Sequence, residues 1–377
     1  MAQAADEKLL RKSRILVAPL DWGLGHATRC IPVIKELLAN NCDVWLAGEG
    51  VQEALLRFEF PDLPFLSLAG YRIQYSKSKK GLPWKIILQI PKIIETIRKE
   101  HRWLQKMVST HDFNAVISDN RFGFYHHTIP AVFITHQLRI KSKLGIWSEK
   151  ILQRWNYRYI NRFSECWIPD EEGKNNLAGE LSHPVIKPDI PVKYIGILSR
   201  FEKKATNSFP FTGDKGKDHL LLILSGPEPQ RTVLENKIID DVSHYPGTAT
   251  IVRGLPSSLS IIPSTGMIKF YNHLSAKELN EEMEKADWVI SRCGYSTVMD
   301  LVKLQKKSIL IPTPGQMEQE YLAKYLQQKK IAICIDQDNF SIGSMLSEAN
   351  KFNYQLPGLN SPSCLEQAIR EFIGKLR

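Results

Sequence analysis

The 377-residue sequence has few cysteines and no long apolar run. Its six cysteines lie far apart and form no C-x-x-C pair, which argues against a disulfide framework and against a zinc ribbon. No apolar run approaches the roughly 18 residues that a membrane-spanning helix needs. The N-terminal segment MAQAADEKLLRKSR lacks the apolar core of a signal peptide, so the sequence predicts a cytoplasmic protein.

Charge is plentiful but unevenly placed. The net charge is +10, and residues 1–195 hold 28 Lys and Arg against 20 Asp and Glu. A basic first half indicates an anionic partner, which could be a nucleic acid, a phosphorylated substrate or an acidic membrane surface. Hydrophobic residues make up 43% of the chain, a globular balance, and the length predicts two domains.

The first half alternates short apolar strands with helices. Strands are predicted at residues 14–20, 43–47, 114–118 and 131–135. Between the first two strands, apolar residues recur at helical spacing over residues 27–38. This alternation predicts a parallel, doubly wound α/β sheet.

The second half starts the same pattern again. Strands are predicted at residues 219–224, 248–252, 267–270, 288–290 and 308–311. We place the first Rossmann-like domain at residues 1–195, the second at 196–360, and a C-terminal helix at 361–377 whose docking the sequence does not give.

The first motif, Asp-Trp-Gly-Leu-Gly-His-Ala-Thr-Arg at residues 21–29, lies where a strand passes into a helix. Gly23 and Gly25 allow a sharp turn and close approach of a ligand, and the helix N-terminus attracts an anion. His26 could bind a diphosphate or transfer a proton. The alternatives are a tight turn without a ligand, or a dinucleotide site with Glu49 at the end of the second strand.

The second and third motifs follow strands of the second half. In residues 291–300, Ser296 and Thr297 open a helix after Gly294, and Asp300 lies one turn further along. Such hydroxyl and N–H groups suit a diphosphate, and a carboxylate suits a ribose diol. Residues 312–321 place amide and carboxylate groups where the next helix begins, and these groups can bind sugar hydroxyls. Capped helices without a ligand are the alternative.

The three motifs, in this order and spacing, resemble the inverting glycosyltransferases of the GT-B fold, and family 28 most closely. The resemblance covers most of the chain and is strongest at residues 14–29 and 286–323. It implies two Rossmann-like, doubly wound α/β domains facing a cleft, with the acceptor on the first and a nucleotide-sugar, usually a UDP-sugar, on the second. It also implies a reaction without a metal ion or a further cofactor.

Carried over residue by residue, the resemblance implies two groups of site residues. Gly23, Gly25 and His26 match the acceptor-side loop near the diphosphate. The donor-side matches are Gly226, Tyr271, Gly294, Ser296, Thr297, Asp300, Gln319 and Glu320. Asp300 stands where the family usually has Glu, and Glu320 stands where the peptidoglycan-precursor member has Gln.

Three departures from the family pattern predict a different acceptor from that of the peptidoglycan member. Asp21 and Trp22 displace a glycine pair in the first loop. Residues 225–229, Ser-Gly-Pro-Glu-Pro, contain two prolines that remove N–H donors, and we expect Arg231 to compensate. Residues 118–123 replace an acceptor-side Gly-Gly-Tyr segment.

An inverting transfer needs a base that deprotonates the acceptor hydroxyl group. Asp119 follows a predicted strand at the edge where α/β proteins bind ligands, and His26 is the other candidate. His136, after the strand at 131–135, is a further cleft residue. The alternative for Asp119 is a turn or helix-capping residue.

Two basic segments contain interspersed Trp and Ile. Residues 71–106 hold ten basic residues against two acidic ones, with Trp84 and several isoleucines among them. Residues 138–163 hold seven against one, with Trp147 and Trp155. These segments could rest on anionic lipid, which would suit a lipid-linked acceptor at the inner face of the plasma membrane, or they could be solvated helix faces.

The sequence therefore predicts an inverting, metal-independent glycosyltransferase that uses a UDP-sugar and a lipid-linked acceptor. A nucleotide-sugar 2-epimerase of the same fold is one alternative. An NAD-dependent oxidoreductase built on Gly23, Gly25 and Glu49 is another. No nucleic-acid-binding motif supports a nucleic-acid partner.

Overall fold

The computed structural model describes residues 12–72, 82–201, 218–256, 258–358 and 363–376, with residues 82–90 and 363 described by their backbone alone. The predicted interleaving of Trp84 and its neighbouring isoleucines with basic residues therefore lies outside the described side chains.

The first half forms a parallel sheet with helices around it. Its strands are β1 (Arg14–Pro19), β2 (Asp43–Gly48), β3 (Phe65–Ser67), β4 (Ala115–Asp119), β5 (Ala131–Ile134), β6 (Glu165–Ile168) and β7 (Val192–Tyr194). Among the described residues their order is β3-β2-β1-β4-β5-β6-β7, and every pairing is parallel. The helices are α1 (Leu24–Ala39), α2 (Gly50–Glu59), α3 (Leu82–His111) and α4 (Ile146–Ile160), with a 3₁₀ turn at Gly179–Leu181.

The second half repeats this architecture. Its strands are β8 (His219–Ile223), β9 (Thr248–Val252), β10 (Ile268–Tyr271), β11 (Trp288–Arg292), β12 (Ser308–Ile311) and β13 (Ile333–Cys334). Their order in the described part is β10-β9-β8-β11-β12-β13, again with parallel pairings. The helices are α5 (Gln230–Val242), α6 (Ala276–Lys285), α7 (Tyr295–Lys303), α8 (Met317–Gln328), α9 (Ile342–Lys351) and α10 (Ser363–Gly374), with a 3₁₀ turn at Gln337–Asn339.

These two sheets confirm the predicted pair of doubly wound α/β units. The predicted strands fall within a few residues of the observed ones, because both faces of a parallel sheet are buried and its strands are continuously apolar. Helix α1 begins at Leu24, three residues before the predicted start, so Gly25 and His26 lie in its first turn.

The C-terminal helix α10 packs against the first sheet. Phe372 is buried and its ring meets Trp167 of β6 edge-on, at 5.6 Å between centroids. Two ion pairs flank this contact: Lys193 with Glu371 at 2.7 Å, and Lys375 with Glu165. The chain therefore ends on the half in which it began, and α10 ties the second half to the first.

The order of strands places a possible binding crevice in each half. In each sheet the chain starts at a central strand, β1 or β8, and then winds outward in both directions. Ligands of such sheets bind beyond the carboxyl ends of the strands at this switch point. In the part of the chain that the structure describes, no helix is long and apolar enough to cross a membrane.

Candidate functional site

The first Gly-rich loop and the helix after β11 meet across the cleft. The hydroxyl group of Ser296, in α7, donates to the carbonyl oxygen of Gly25, in α1, at 2.8 Å. A Cβ atom at Gly25 would lie 3.0 Å from the Ser296 Oγ, so this close approach favours glycine. The first and second motifs predicted from the sequence therefore lie side by side.

Arg29 lies at the centre of the polar residues in this cleft. Its side chain is 3% exposed and that of Asp119 is 0% exposed. Arg29 Nε donates to Asp119 Oδ2 at 2.7 Å, and Arg29 Nη2 donates to Oδ1. The pair forms because β1 and β4 are neighbours, which brings the first turn of α1 beside the end of β4. Such a bidentate ion pair is rigid and strongly directional.

His26 adjoins this ion pair. Its Nδ1 lies 2.7 Å from Arg29 Nη2 and 3.3 Å from Asp119 Oδ1, so Nδ1 either accepts from Arg29 or donates to Asp119. Only 14% of its side chain is exposed. Burial, followed by the positive charge of Arg29, lowers the pKa of His26 below its usual 6.5, although Asp119 opposes the shift. His26 is therefore neutral at pH 7.

The carboxyl group of Asp119 is held as an anion. Burial alone would raise its pKa, but Arg29 and then His26 overcome this effect and lower the pKa to about 2. An anion so strongly stabilised accepts protons poorly, and its two oxygens are already bonded to Arg29. Of the two candidate bases from the sequence, Asp119 is thus placed to orient His26 and Arg29.

Two residues after β5 and one in α8 close the cleft beside Arg29. Arg29 Nη1 lies 3.2 Å from His136 Nδ1, and His136 Nε2 lies 2.7 Å from Glu318 Oε1. Gln137 donates to the other oxygen of Glu318. The ring of His136 also stacks on Tyr295 at 4.1 Å. This arrangement confirms that His136 lines the cleft.

The loops after β8 and β12 come together on the donor side. Gly226 has a φ of +100°, a conformation that favours glycine, and a Cβ atom there would point at Thr313 Oγ1, 3.7 Å away. Thr313 is 2% exposed, and its Oγ1 has no hydrogen-bond partner among the described residues. An unpaired buried hydroxyl group is unfavourable without a ligand or water.

The two residues that were predicted to bind the donor sugar also support their own loop. Gln319 Oε1 accepts from the Thr313 N–H at 2.8 Å, and Glu320 Oε1 accepts from the Gly315 N–H at 2.7 Å. Gly294 and Thr297 lie at the start of α7 as predicted, and Gly294 is the residue that precedes the helix.

Each of three further residues that were predicted on the donor side has an ion-pair or hydrogen-bond partner within the protein: Arg231, Asp300 and Tyr271. Arg231 is buried between Glu228 and Glu235, at 2.5 and 3.0 Å, so its charge is already compensated. The Asp300 carboxylate accepts from the Ser199 hydroxyl at 2.6 Å.

Burial raises the pKa of Asp300 to about 6, against the influence of Arg200. The Tyr271 carbonyl oxygen accepts from the Arg253 N–H at 2.8 Å.

Two other acidic residues, Asp21 of the first motif and Glu49 after β2, stabilise the loop at residues 70–72. Asp21 accepts from the Tyr71 and Arg72 N–H groups at 2.9 Å each. Glu49, the acid of the dinucleotide alternative, binds the Gly70 N–H and the Arg72 guanidinium. Both carboxylates therefore already accept hydrogen bonds from residues 70–72.

Sequence reasoning missed Arg29, Thr313 and Glu318 as site residues. Arg29 stands in the quoted first motif, three residues after His26, so helical spacing could have placed it beside that histidine. Glu318 and His136 are 182 residues apart, and no local pattern signals their contact.

The comparisons with known sequences find a glycosyltransferase domain. The model of the glycosyltransferase family 28 C-terminal domain matches residues 268–356. One relative is the UDP-N-acetylglucosamine--N-acetylmuramyl-(pentapeptide) pyrophosphoryl-undecaprenol N-acetylglucosamine transferase of Haemophilus ducreyi, to which the chain is 23% identical over 336 residues. The aligned region covers 86% of this chain and 85% of that protein. The protein of the same name from Rickettsia akari is 34% identical over 94 residues, 24% of this chain and 23% of that protein.

Solved glycosyltransferase structures share the fold. SnogD from Streptomyces nogalater superposes with a TM-score of 0.62 at 10% identity, covering 97% of this chain and all of that one. MurG from Acinetobacter baumannii superposes with a TM-score of 0.53 at 12% identity, covering 97% of this chain and 95% of that one. The predicted family 28 resemblance and GT-B fold are confirmed.

We expect Asp119→Asn to destabilise the protein by about 3–5 kcal/mol, because it leaves the Arg29 charge buried without its counter-charge. The ionised carboxylate stabilises the wild type above the unfolded pKa of about 4, and this stability is lost as the pH falls toward the folded pKa of about 2. Urea unfolding at pH 7, 4 and 2.5 measures both effects.

Asp43→Asn is the matched control, because the Arg14–Asp43 pair is about one-third exposed on both sides. Exposed pairs contribute about 0–1 kcal/mol. Equal losses in the two variants would contradict a structural role for the buried pair.

Proposed function

We propose that this chain, a family 28-like glycosyltransferase of the GT-B fold, transfers a sugar from a UDP-sugar to a hydroxyl group of a lipid-linked acceptor, with inversion at the anomeric carbon. The observation that carries the proposal is the pairing of His26 with Asp119 at the mouth of the cleft between the two halves. The printed name of the Haemophilus relative, with its UDP-sugar and pyrophosphoryl-undecaprenol acceptor, supports the two substrate classes.

His26 is the proposed base. In the tautomer that carries its proton on Nδ1, His26 donates Nδ1–H to Asp119 and accepts the proton of the acceptor hydroxyl group on Nε2. This tautomer requires Arg29 Nη2, 2.7 Å from Nδ1, to direct its N–H groups to Asp119 and not to His26. The acceptor oxygen then attacks the anomeric carbon, and the bond to the diphosphate breaks. The anionic Asp119 stabilises the imidazolium that forms, as a buried carboxylate does behind a catalytic histidine.

The diphosphate leaving group is proposed to lie between the start of α7 and the loops after β8 and β12. Free N–H groups and the helix dipole at Gly294–Thr297 would stabilise its developing charge. The unpaired Thr313 hydroxyl, facing Gly226, is a further donor for a phosphate oxygen. We propose that the reaction needs neither a metal ion nor a further cofactor.

The comparisons favour neither the epimerase nor the oxidoreductase alternative. The loop contacts of Glu49 also leave the dinucleotide site without its acidic residue. An epimerase would convert the nucleotide-sugar without an acceptor, so analysis of the products separates it from a transferase.

The lipid-linked acceptor agrees with an exposed apolar surface at the start of α4. Leu144, Ile146 and Trp147 are 73%, 65% and 75% exposed, and Ile151 and Trp155 are also exposed. Lys143, Lys150, Arg154 and Arg158 are exposed among them. Apolar side chains bordered by cations suit an anionic membrane, so we propose peripheral binding at the inner face of the plasma membrane.

We expect a UDP-sugar to stabilise the protein by about 2.7 kcal/mol at 100 times its dissociation constant. Thr313→Val should weaken this binding by about 10- to 100-fold, because it removes one hydrogen bond to a charged phosphate. It should not destabilise the free protein, since the hydroxyl group has no partner in the described structure. A thermal-shift panel of UDP-, GDP- and ADP-sugars with NAD(H) measures both.

Thr110→Val, on the exposed face of α3, is the control for that panel. Equal stabilisation of wild type and Thr313→Val would contradict the phosphate contact. A response to NAD(H) alone would contradict the donor proposal.

We expect His26→Ala to lower kcat by about 10²- to 10⁴-fold, the usual contribution of a general base. Because the pKa of His26 is lowered, wild-type kcat/KM should stay level at pH 7 and fall only below about pH 6.5, as the base becomes protonated. Release of the nucleoside diphosphate, followed in the presence of EDTA, gives the rates, and NMR of the product gives its anomeric configuration.

His244→Ala, at an exposed position, is the control for the His26 variant. An unchanged acidic limb in His26→Ala would refute His26 as the base. Loss of wild-type activity in EDTA would refute metal independence, and a retained configuration would refute inversion.

We expect Trp147→Ala with Trp155→Ala to weaken binding to vesicles containing anionic lipid by about tenfold or more. Each buried aromatic side chain contributes about 1.5–3 kcal/mol. Phe58→Ala, which removes an exposed apolar side chain of α2, should bind like the wild type. Co-sedimentation measures this, and equal binding of all three proteins would exclude the α4 surface.

A further inference from the structure

Glu318 is the residue of the second half that reaches the polar centre of the first. It lies in the first turn of α8, and its two neighbours along the chain, Gln319 and Glu320, support the loop before the helix. Glu318 instead extends across the cleft to His136 and Gln137. Its side chain is about one-third exposed, at 32%.

The chemistry of its partners determines which ring nitrogen of His136 donates and which accepts a hydrogen bond. A guanidinium group can only donate, so His136 Nδ1 accepts from Arg29 Nη1. The ring proton of neutral His136 therefore lies on Nε2, and it donates to Glu318 Oε1 at 2.7 Å. Glu318 thus determines which nitrogen of His136 faces Arg29 as an acceptor.

Stacking holds the ring of His136 in this orientation. Tyr295 lies parallel to it, with an angle of 10° between the ring planes, and is itself fixed by a hydrogen bond to the Pro169 carbonyl oxygen at 2.8 Å. Glu318 and Tyr295 both belong to the second half, whereas His136 and Arg29 belong to the first. One of the contacts of Arg29, that with His136, therefore depends on contact between the halves, in addition to its ion pair with Asp119 within the first half.

We propose that Glu318 is a positioning residue of the transfer reaction, which through His136 holds Arg29 in place. Arg29 in turn contacts Asp119 and His26, so the second half helps to hold a reaction centre whose residues belong to the first. This inference rests on the proposed function for its effect on turnover, but its effect on His26 can be measured without turnover.

The charged and titratable groups that face His26 come from four elements. They are Arg29 of α1, Asp119 of β4, His136 after β5 and Glu318 of α8. Removal of the Glu318 negative charge makes the imidazolium form of His26 less favourable. Glu318→Gln should therefore shift the titration midpoint of His26 to lower pH.

The first experiment follows the titration of His26 by NMR in the full chain with isotope-labelled histidine, using His26→Ala to assign the signal. We expect a lower midpoint in Glu318→Gln. Glu318→Asp keeps the charge but shortens the side chain, so its midpoint should stay near that of the wild type. Glu348→Gln, an exposed glutamate of α9, is the matched control.

The second experiment measures kinetics of the same variants. We expect kcat to fall by about 10- to 100-fold in Glu318→Gln and Glu318→Asp, with a smaller change in the KM for the UDP-sugar, because misplaced catalytic groups mainly slow the chemical step. The acidic limb of the pH profile should move to lower pH in Glu318→Gln only.

The outcomes separate this inference from the proposed function. An unchanged His26 midpoint in Glu318→Gln, or wild-type kcat in both variants, would overturn the positioning role. A lower midpoint in a protein whose wild type transfers no sugar would overturn the proposed function and leave the coupling of Glu318 to His26 in place.

Discussion

The buried ion pair between Arg29 and Asp119 is the interaction on which the rest of the cleft depends. Neither charge could remain buried without the other, because the desolvation of a lone buried charge costs several kcal/mol. Asp119 uses both oxygens on Arg29, whose Nη2 also lies 2.7 Å from His26 Nδ1 and whose Nη1 lies 3.2 Å from His136 Nδ1. One guanidinium group therefore fixes the positions of the three side chains around it.

The ion pair follows from the topology of a parallel sheet. The carboxyl ends of β1 and β4 lie side by side, so α1 and Asp119 meet although Arg29 and Asp119 are 90 residues apart. The second half repeats the same winding, which places α7 and α8 at the facing edge. Two copies of one architecture thus bring their ligand-binding edges together.

Local pattern was enough for most of the strands, but not for the function of each side chain. Apolar runs located nine of the thirteen described strands and missed β3, β6, β7 and β13, and glycines located the turn before α1, whose first turn contains His26. Resemblance assigned Gln319 and Glu320 to the donor, and the structure adds that one oxygen of each accepts from an N–H group of its own loop. Arg231 likewise neutralises two glutamates. These contacts join residues only three to six positions apart, but a single sequence does not show which partner each side chain takes.

The proposed base, His26, lies beside the guanidinium group of Arg29, and its pKa is subject to opposing electrostatic effects. Arg29 and burial keep His26 neutral, which a base requires, but they also make it a weaker proton acceptor. The carboxylate of Asp119 acts in the opposite direction on the same ring. Glu318 is placed to add to this effect from the second half, because its charge interacts with both Arg29 and His26. The basicity of His26 therefore depends on a charge from each half, Asp119 of the first and Glu318 of the second.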